Sequence, residues 1–490
     1  MRIWMLLPLL VVAAYAVPAQ AEGPRLGSLE FEPCTLAAEL QAATVDARCT
    51  TLEVPENRAA PDGRRIKLAI AWVASEAKQA EPDPVFMIAG GPGQGARESY
   101  PTAQRAFREV LRKRNVILVD QRGTGDSHAL SCRDETGANA FGEAQDFSPE
   151  GFARFARDCL AKLDADPRYY TTSDGVADLE AVREALGVEQ IDLLGISYGT
   201  RVAQEYLRRY PAHTRAVVLD GVVPPDLALG SEHARNLESS LDLQFARCAK
   251  DPACAKAFGS PRESLSALLA KLREAPMPVR YHDPLTNEVR EAPLTADAVA
   301  GVVRLFAYAP NVAGMLPLAL HEAQTGNPEP LMAQAQMLQS LIGESIMHGM
   351  QLSVICAEDV DLLKPDPADA GSLLGNQLIE MTQVQCKEWP AGTRPKDFHD
   401  PVTSDKPVLL FSGEFDPVTP PKYGDRVVKT LANGRHLVAR GQGHNVTPLG
   451  CIPKLVGTFF ETADAKALDA KCMEQFGYAP MFTGYWGTEP

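Results

Sequence analysis

Ile191-Asp192-Leu193-Leu194-Gly195-Ile196-Ser197-Tyr198-Gly199-Thr200 carries an apolar run straight into a Gly-x-Ser-x-Gly pentapeptide, and a stretch with helical character follows over 200–210. Strand, G-x-S-x-G and helix in that order form the context that a nucleophile elbow requires. A residue at such an elbow sits on a strained turn, where bulky neighbours two positions away would clash. Glycines at 195 and 199 remove the clash and leave the Ser197 hydroxyl exposed above the end of a sheet. A Gly/Ser turn before a helix is common by itself, so the reading depends on partners elsewhere in the chain.

The segments around it supply a frame. Residues 65–73, 84–89, 115–120 and 216–220 read as strands, several of them continuous apolar runs. Residues 174–186 have helical spacing and end at Gly187, a good C-cap. Continuous apolar strands alternating with helices predict a parallel sheet covered on both faces. From about residue 224 the pattern stops. Leu265, Leu268, Leu269 and Leu272, and the stretch 332–342, have helical spacing instead. Strand signals return at 407–412 and 435–439, and a last helix is expected over 452–463. These shifts predict a first core part over 22–225, a helical insertion over 226–389 and a second core part over 390–490.

Composition is that of an ordinary globular chain: 490 residues, 45% hydrophobic and 23% charged. A net charge of -15 argues against a nucleic-acid partner. Met1-Arg2, the apolar run 3–17 and Ala19-Gln20-Ala21 fit a signal peptide over 1–21. The expectation is export, to the periplasm or the medium, with no membrane association after cleavage; oligomeric state is open. Ten cysteines form no C-x-x-C or Cys/His zinc pattern, so disulfides are expected in an exported chain. Sequential pairing would join Cys34–Cys49, Cys132–Cys159, Cys248–Cys254, Cys356–Cys386 and Cys451–Cys472. Connectivity cannot be deduced from sequence. The short turn-rich loop between Cys248 and Cys254 favours that pair most.

Ser197 needs a base, an orienting acid and oxyanion donors. His444 stands in Gly441-Gln442-Gly443-His444-Asn445, a flexible loop directly after the strand 435–439. His213, His233, His321 and His348 lie on helices or in polar segments and read as solvated or packing residues. Asp416, in Ser412-Gly413-Glu414-Phe415-Asp416-Pro417-Val418-Thr419-Pro420, follows an apolar strand and is the expected acid. Its bland reading is a turn or cap aspartate before Pro417. Asp220 is a second place from which an acid could reach the same histidine, and Glu414 would point elsewhere. The oxyanion donors are expected to be the backbone N–H of Tyr198 and that of Gly91, in Gly90-Gly91-Pro92-Gly93-Gln94-Gly95. Neither G-x-G-x-x-G nor a Walker lysine accompanies that loop, which disfavours a phosphate cradle. No metal or organic cofactor is expected.

Five segments in order, Gly90-Gly91-Pro92-Gly93, 120–127 (Asp-Gln-Arg-Gly-Thr-Gly-Asp-Ser), 195–200, 413–419 and Gly443-His444, resemble the α/β-hydrolase serine peptidase family of proline iminopeptidases and tripeptidyl aminopeptidases. The export signal and cysteine-rich tail make the chain more similar to the secreted tripeptidyl aminopeptidase branch. Ala89 departs from the pattern, standing where the iminopeptidase motif often has His before Gly-Gly. The resemblance implies an α/β-hydrolase fold: a mostly parallel sheet of the eight-stranded type, helices on both faces, a helical cap inserted between the sixth and seventh strands, and a TAP-like C-terminal region. It also implies a serine aminopeptidase acting through an acyl-enzyme on peptides with a free N-terminus. Such an enzyme must bind an ammonium group, and Glu358 and Asp359 are the candidate carboxylates in the cap. Arg122 is expected to be a structural ion-pair residue. The rival readings are a carboxylesterase or lipase with the same triad, and a binding protein on an inactive hydrolase fold.

Overall fold

The computed structural model of the chain describes residues 24–38, 43–133 and 148–487, and only the backbone of 338–345. The expected signal peptide, 1–21, lies outside the described residues. Among the described residues nine strands build the central sheet: β1 Glu32–Ala37, β2 Thr44–Pro55, β3 Arg65–Val73, β4 Val85–Ile88, β5 Val116–Val119, β6 Ile191–Ile196, β7 Thr214–Asp220, β8 Ser404–Gly413 and β9 Leu431–Ala439. Their order is β9-β8-β7-β6-β4-β5-β3-β2-β1. Neighbours from β5 to β9 run parallel, while β1, β2 and β3 join antiparallel at the other edge. One strand exceeds the eight expected. The polar, half-exposed pair β1 and β2 carries little apolar patterning, and neither was legible as a strand.

The parallel strands are apolar throughout because both faces are covered. Phe86, Ile88, Ile117, Val119, Leu193, Val217 and Leu219 pack on one side with helices Thr172–Leu186 and Tyr198–Arg209. Val85, Met87, Val116, Leu118, Leu194, Ala216 and Val218 pack on the other with helix Ile452–Thr462. Each of these Val, Leu, Ile, Met and Phe side chains contributes roughly 1.5–3 kcal/mol by burial. Helix Thr172–Leu186 starts in a capping box of Thr171 and Asp174 and stops at Gly187, whose φ of 68° suits glycine.

Between β7 and β8 lie eight helices of seven or more residues, among them His233–Lys250, Ala296–Phe306 and His348–Glu358. Five of them share a core that includes Leu237, Leu241, Leu265, Leu268, Val303 and Leu320, while His348–Glu358 packs through Met350 and Val354 on the core of the sheet. This stretch also holds an antiparallel hairpin, Met277–His282 with Val289–Leu294, where the sequence reading expected no strand of the core type. Val279 and Tyr281 point into the helical core and the residues between them outward, a period of two too short to stand out. All ten cysteines are paired, in sequential order: Cys34–Cys49, Cys132–Cys159, Cys248–Cys254, Cys356–Cys386 and Cys451–Cys472. Among the described residues no helix is long and apolar enough to cross a membrane.

Candidate active site

After β6 the chain turns through Ser197 at φ 55° and ψ -123° and enters helix Tyr198–Arg209. A non-glycine residue held there costs of order 1–3 kcal/mol, which the surroundings must offset. The Ser197 N–H donates to the Asp220 carbonyl at 2.8 Å, and Thr200 N donates to the Ser197 carbonyl at 2.8 Å. The flanking glycines are sterically required. A Cβ at 195 would overlap the Gly199 carbonyl, and one at 199 would overlap the Ile88 carbonyl, both backbone atoms that cannot yield.

The turn after β8 carries Asp416. Its Oδ1 accepts from the backbone N–H of Val418 at 2.9 Å and of Thr419 at 2.8 Å. Its Oδ2 accepts from Thr419 Oγ1 at 2.8 Å and lies 2.7 Å from His444 Nδ1. Asp220 instead accepts from Val446 N at 3.0 Å, Thr447 N at 2.8 Å and Thr447 Oγ1 at 2.6 Å, so it fastens the loop behind His444. Glu414 accepts from Gly441 N at 2.7 Å, away from the imidazole. The end of β7 brings the histidine and serine loops together: Asp220 O holds Ser197 N, and a Cβ on Gly221 would stand 3.0 Å from His444 Cε1. Ser197 Oγ makes no hydrogen bond among the described residues. Such contacts often tighten only when substrate binds.

Burial opposes a charge on His444, but the Asp416 carboxylate, its hydrogen bond and a smaller contribution from Asp220 outweigh it and raise the imidazole pKa. Burial likewise opposes the Asp416 charge, yet His444 and the Thr419 and Val418 N–H groups bring that pKa below the usual carboxylate value. With Nδ1–H directed at Asp416, neutral His444 keeps its lone pair on Nε2.

The glycine loop lies against the serine: a Cβ on Gly90 would stand 3.0 Å from Ser197 Cβ. Gly91 adopts a φ of 104°. Neither the Gly91 nor the Tyr198 N–H meets a backbone acceptor among the described residues, which leaves both available as donors. Two carboxylates selected from the sequence stand elsewhere. Glu358 and Asp359 are fully buried behind the elbow. Glu358 accepts from Thr172 N at 2.6 Å and Thr172 Oγ1 at 2.8 Å, and Thr172 Oγ1 shares a 2.6 Å hydrogen bond with the Tyr198 phenol. Asp359 pairs with Arg201 at 2.8 Å. Burial pushes the Glu358 pKa up to about 8 against the pull of Arg201. The expectation of an ammonium-binding pair is therefore corrected: these carboxylates face buried protein groups, because helix His348–Glu358 packs them against helix Tyr198–Arg209. Arg122 is wholly buried, bidentate to Asp178 at 2.6 and 2.7 Å, as a structural residue. Sequence reasoning missed Thr419 and also Tyr308, whose carbonyl accepts from His444 N at 2.8 Å. Among the described residues no group of three or more His, Cys, Asp or Glu side chains could hold a metal ion.

A parallel sheet with a serine on a strained strand-to-helix turn, an acid after the second strand along and a histidine after the third defines the α/β-hydrolase class. Residues 83–254 match the family model described as alpha/beta hydrolase fold, and residues 371–472 match the one described as TAP-like protein. The chain has the α/β-hydrolase fold, matches a TAP-like model over its C-terminal segment and is an enzyme of the serine-hydrolase type. It is 24% identical over 487 residues to serine protease Hip1 of Mycobacterium tuberculosis, covering 93% of each chain. It is 28% identical over 224 residues to a tripeptidyl aminopeptidase of Streptomyces coelicolor, covering 43% of this chain and 40% of that one. It is 32% identical over 224 residues to carboxylesterase B of Mycobacterium tuberculosis, covering 42% of this chain and 43% of that one.

Proposed function

We propose that the protein is an exported serine exopeptidase that removes residues or short peptides from free N-termini through Ser197, His444 and Asp416. The observation that carries this reading is the 2.7 Å contact of His444 Nδ1 with a buried Asp416, set across the end of β7 from the strained Ser197 turn. Similarity to a protein named a serine protease over 93% of the chain supports peptide chemistry. Ser197 Oγ attacks the scissile carbonyl and its proton passes to His444 Nε2. The Gly91 and Tyr198 N–H groups hold the oxyanion, each worth roughly 2.7–4 kcal/mol. His444 then protonates the leaving amine, and a water activated by the same nitrogen releases the acyl group. Five disulfides support an oxidising compartment, the periplasm or the medium.

The test is a panel of mono-, di- and tripeptide anilides, free and N-acetylated, beside simple esters. Acetylation is expected to lower kcat/KM at least about 100-fold, or ~2.7 kcal/mol. Equal rates on blocked and free peptides would overturn the exopeptidase reading. The second reading, a carboxylesterase with the same three residues, is supported by the similarity to carboxylesterase B. It predicts rapid turnover of simple esters and none of the anilides.

A further inference from the structure

Two cap helices converge on the histidine loop. Helix His233–Lys250 lays one face along the turn that carries Asp416: Asn236 Nδ2 donates to the Val418 carbonyl at 3.1 Å and Ser240 Oγ to the Phe415 carbonyl at 2.6 Å. Gln244 Nε2 continues that face, donating to the Ala307 carbonyl at 3.4 Å. His233 heads the same row, one turn before Asn236. Helix Ala296–Phe306 leads into Tyr308, whose carbonyl accepts from His444 N and whose ring stands edge-on to the imidazole at 5.3 Å. Arg304 lies four residues before Tyr308 on that helix.

Arg304 and His233 are both half-buried, and neither side chain makes a hydrogen bond or ion pair among the described residues. The more deeply buried arginines are paired, Arg122 with Asp178, Arg201 with Asp359, Arg114 with Asp83 and Arg183 with Glu180, while half-buried Arg247 also lacks an ion pair among the described residues and lies over the Tyr478 ring instead. Burial, and then the charges of Arg304 and His444, hold the His233 pKa down to about 3. His233 is therefore neutral near pH 7 and offers one N–H donor and one lone pair. A partly desolvated guanidinium and a neutral imidazole, on two helices that both reach the histidine loop, suit a carboxylate, which the guanidinium can grip with two parallel N–H bonds.

We propose that Arg304 and His233 form a specificity subsite for a substrate carboxylate next to the reacting bond. That carboxylate is either an acidic side chain on the acyl half or the C-terminus of a short leaving peptide. The inference rests on the serine-peptidase reading for its substrate class. Its test compares kcat/KM within pairs that differ by one carboxylate. Anilides with Glu or Gln at the scissile carbonyl probe the acyl half. Amides of 4-aminobenzoate or 4-aminobenzamide probe the leaving half, and 4-nitrophenyl succinate against 4-nitrophenyl butyrate repeats the comparison on esters. Titration with a fluorophosphonate normalises each variant to its active fraction. Arg304→Gln is expected to lower the carboxylate-to-neutral ratio about 10- to 100-fold in at least one pair, and His233→Gln several-fold. Arg304→Lys should restore part of the ratio, and the pair that responds names the source. Ratios unchanged by Arg304→Gln in all pairs overturn the subsite. Ester turnover without anilide turnover would overturn the peptidase reading, and the ester pair would still decide the subsite.

Discussion

Asp416 accepts three hydrogen bonds from its own turn before it meets His444, so the chain that carries the acid also aims it and keeps it ionised. Asp416→Asn should lower kcat about 10⁴-fold. It should also move the acid limb of the kcat/KM profile to lower pH, because the base works deprotonated and the Asp416 charge is what raises its pKa. A profile with an unmoved acid limb would assign that limb to another group. Asp416 also links folding to pH. Its folded pKa lies below the unfolded value, so its stabilisation is complete above about pH 4 and lost as pH falls through the folded value. Thr419→Val removes the hydroxyl donor to Oδ2 and should cost about 10-fold in kcat, with little change in KM, by steady-state kinetics. The proposed Ser197, Asp416 and His444 could be selected from the sequence because each stands in a loop straight after a strand. Thr419 was not, because its role depends on the fold of a four-residue turn.

At the scale of elements, the elbow helix and cap helix His348–Glu358 are bolted together by Tyr198, Thr172 and Glu358 and by Arg201 with Asp359. Asp359→Asn removes the nearer carboxylate from the buried Arg201 guanidinium and leaves only Glu358, 3.9 Å away. It should cost roughly 3–5 kcal/mol, read as a lower midpoint in urea unfolding. A loss under 1 kcal/mol would mean that water reaches Arg201 in the folded protein. The sequence marked Glu358 and Asp359 as a charged pair but could not report that the surrounding helix buries them. The hairpin at 277–294 and the edge strands β1 and β2 were illegible for a related reason: half-exposed strands alternate too briefly to stand out from loops.

The whole molecule is closed by disulfides spanning 6 to 30 residues of chain. Cys132–Cys159 and Cys356–Cys386 pack in one cluster with Trp389, so a disulfide of the sheet's flank and one of the inserted helices support the same contact without crossing it. Each bond of this loop length contributes about 2–4 kcal/mol. Reduction with dithiothreitol should lower Tm markedly, and an unchanged Tm would show that the folded state does not depend on them. What the sequence alone determined was the sheet, the elbow and the order of serine, acid and histidine. Strands buried on both faces need unbroken apolar runs, and a strained turn needs its glycines, so both leave local traces. Tertiary structure alone decided that Asp416 rather than Asp220 meets His444, that Glu358 and Asp359 are sealed inside, and that the helices carrying His233 and Arg304 both reach the histidine loop. The physical reason is range: Arg201 and Asp359 touch across 158 residues of chain, and solvent exposure and charge pairing at that separation leave no local pattern to read.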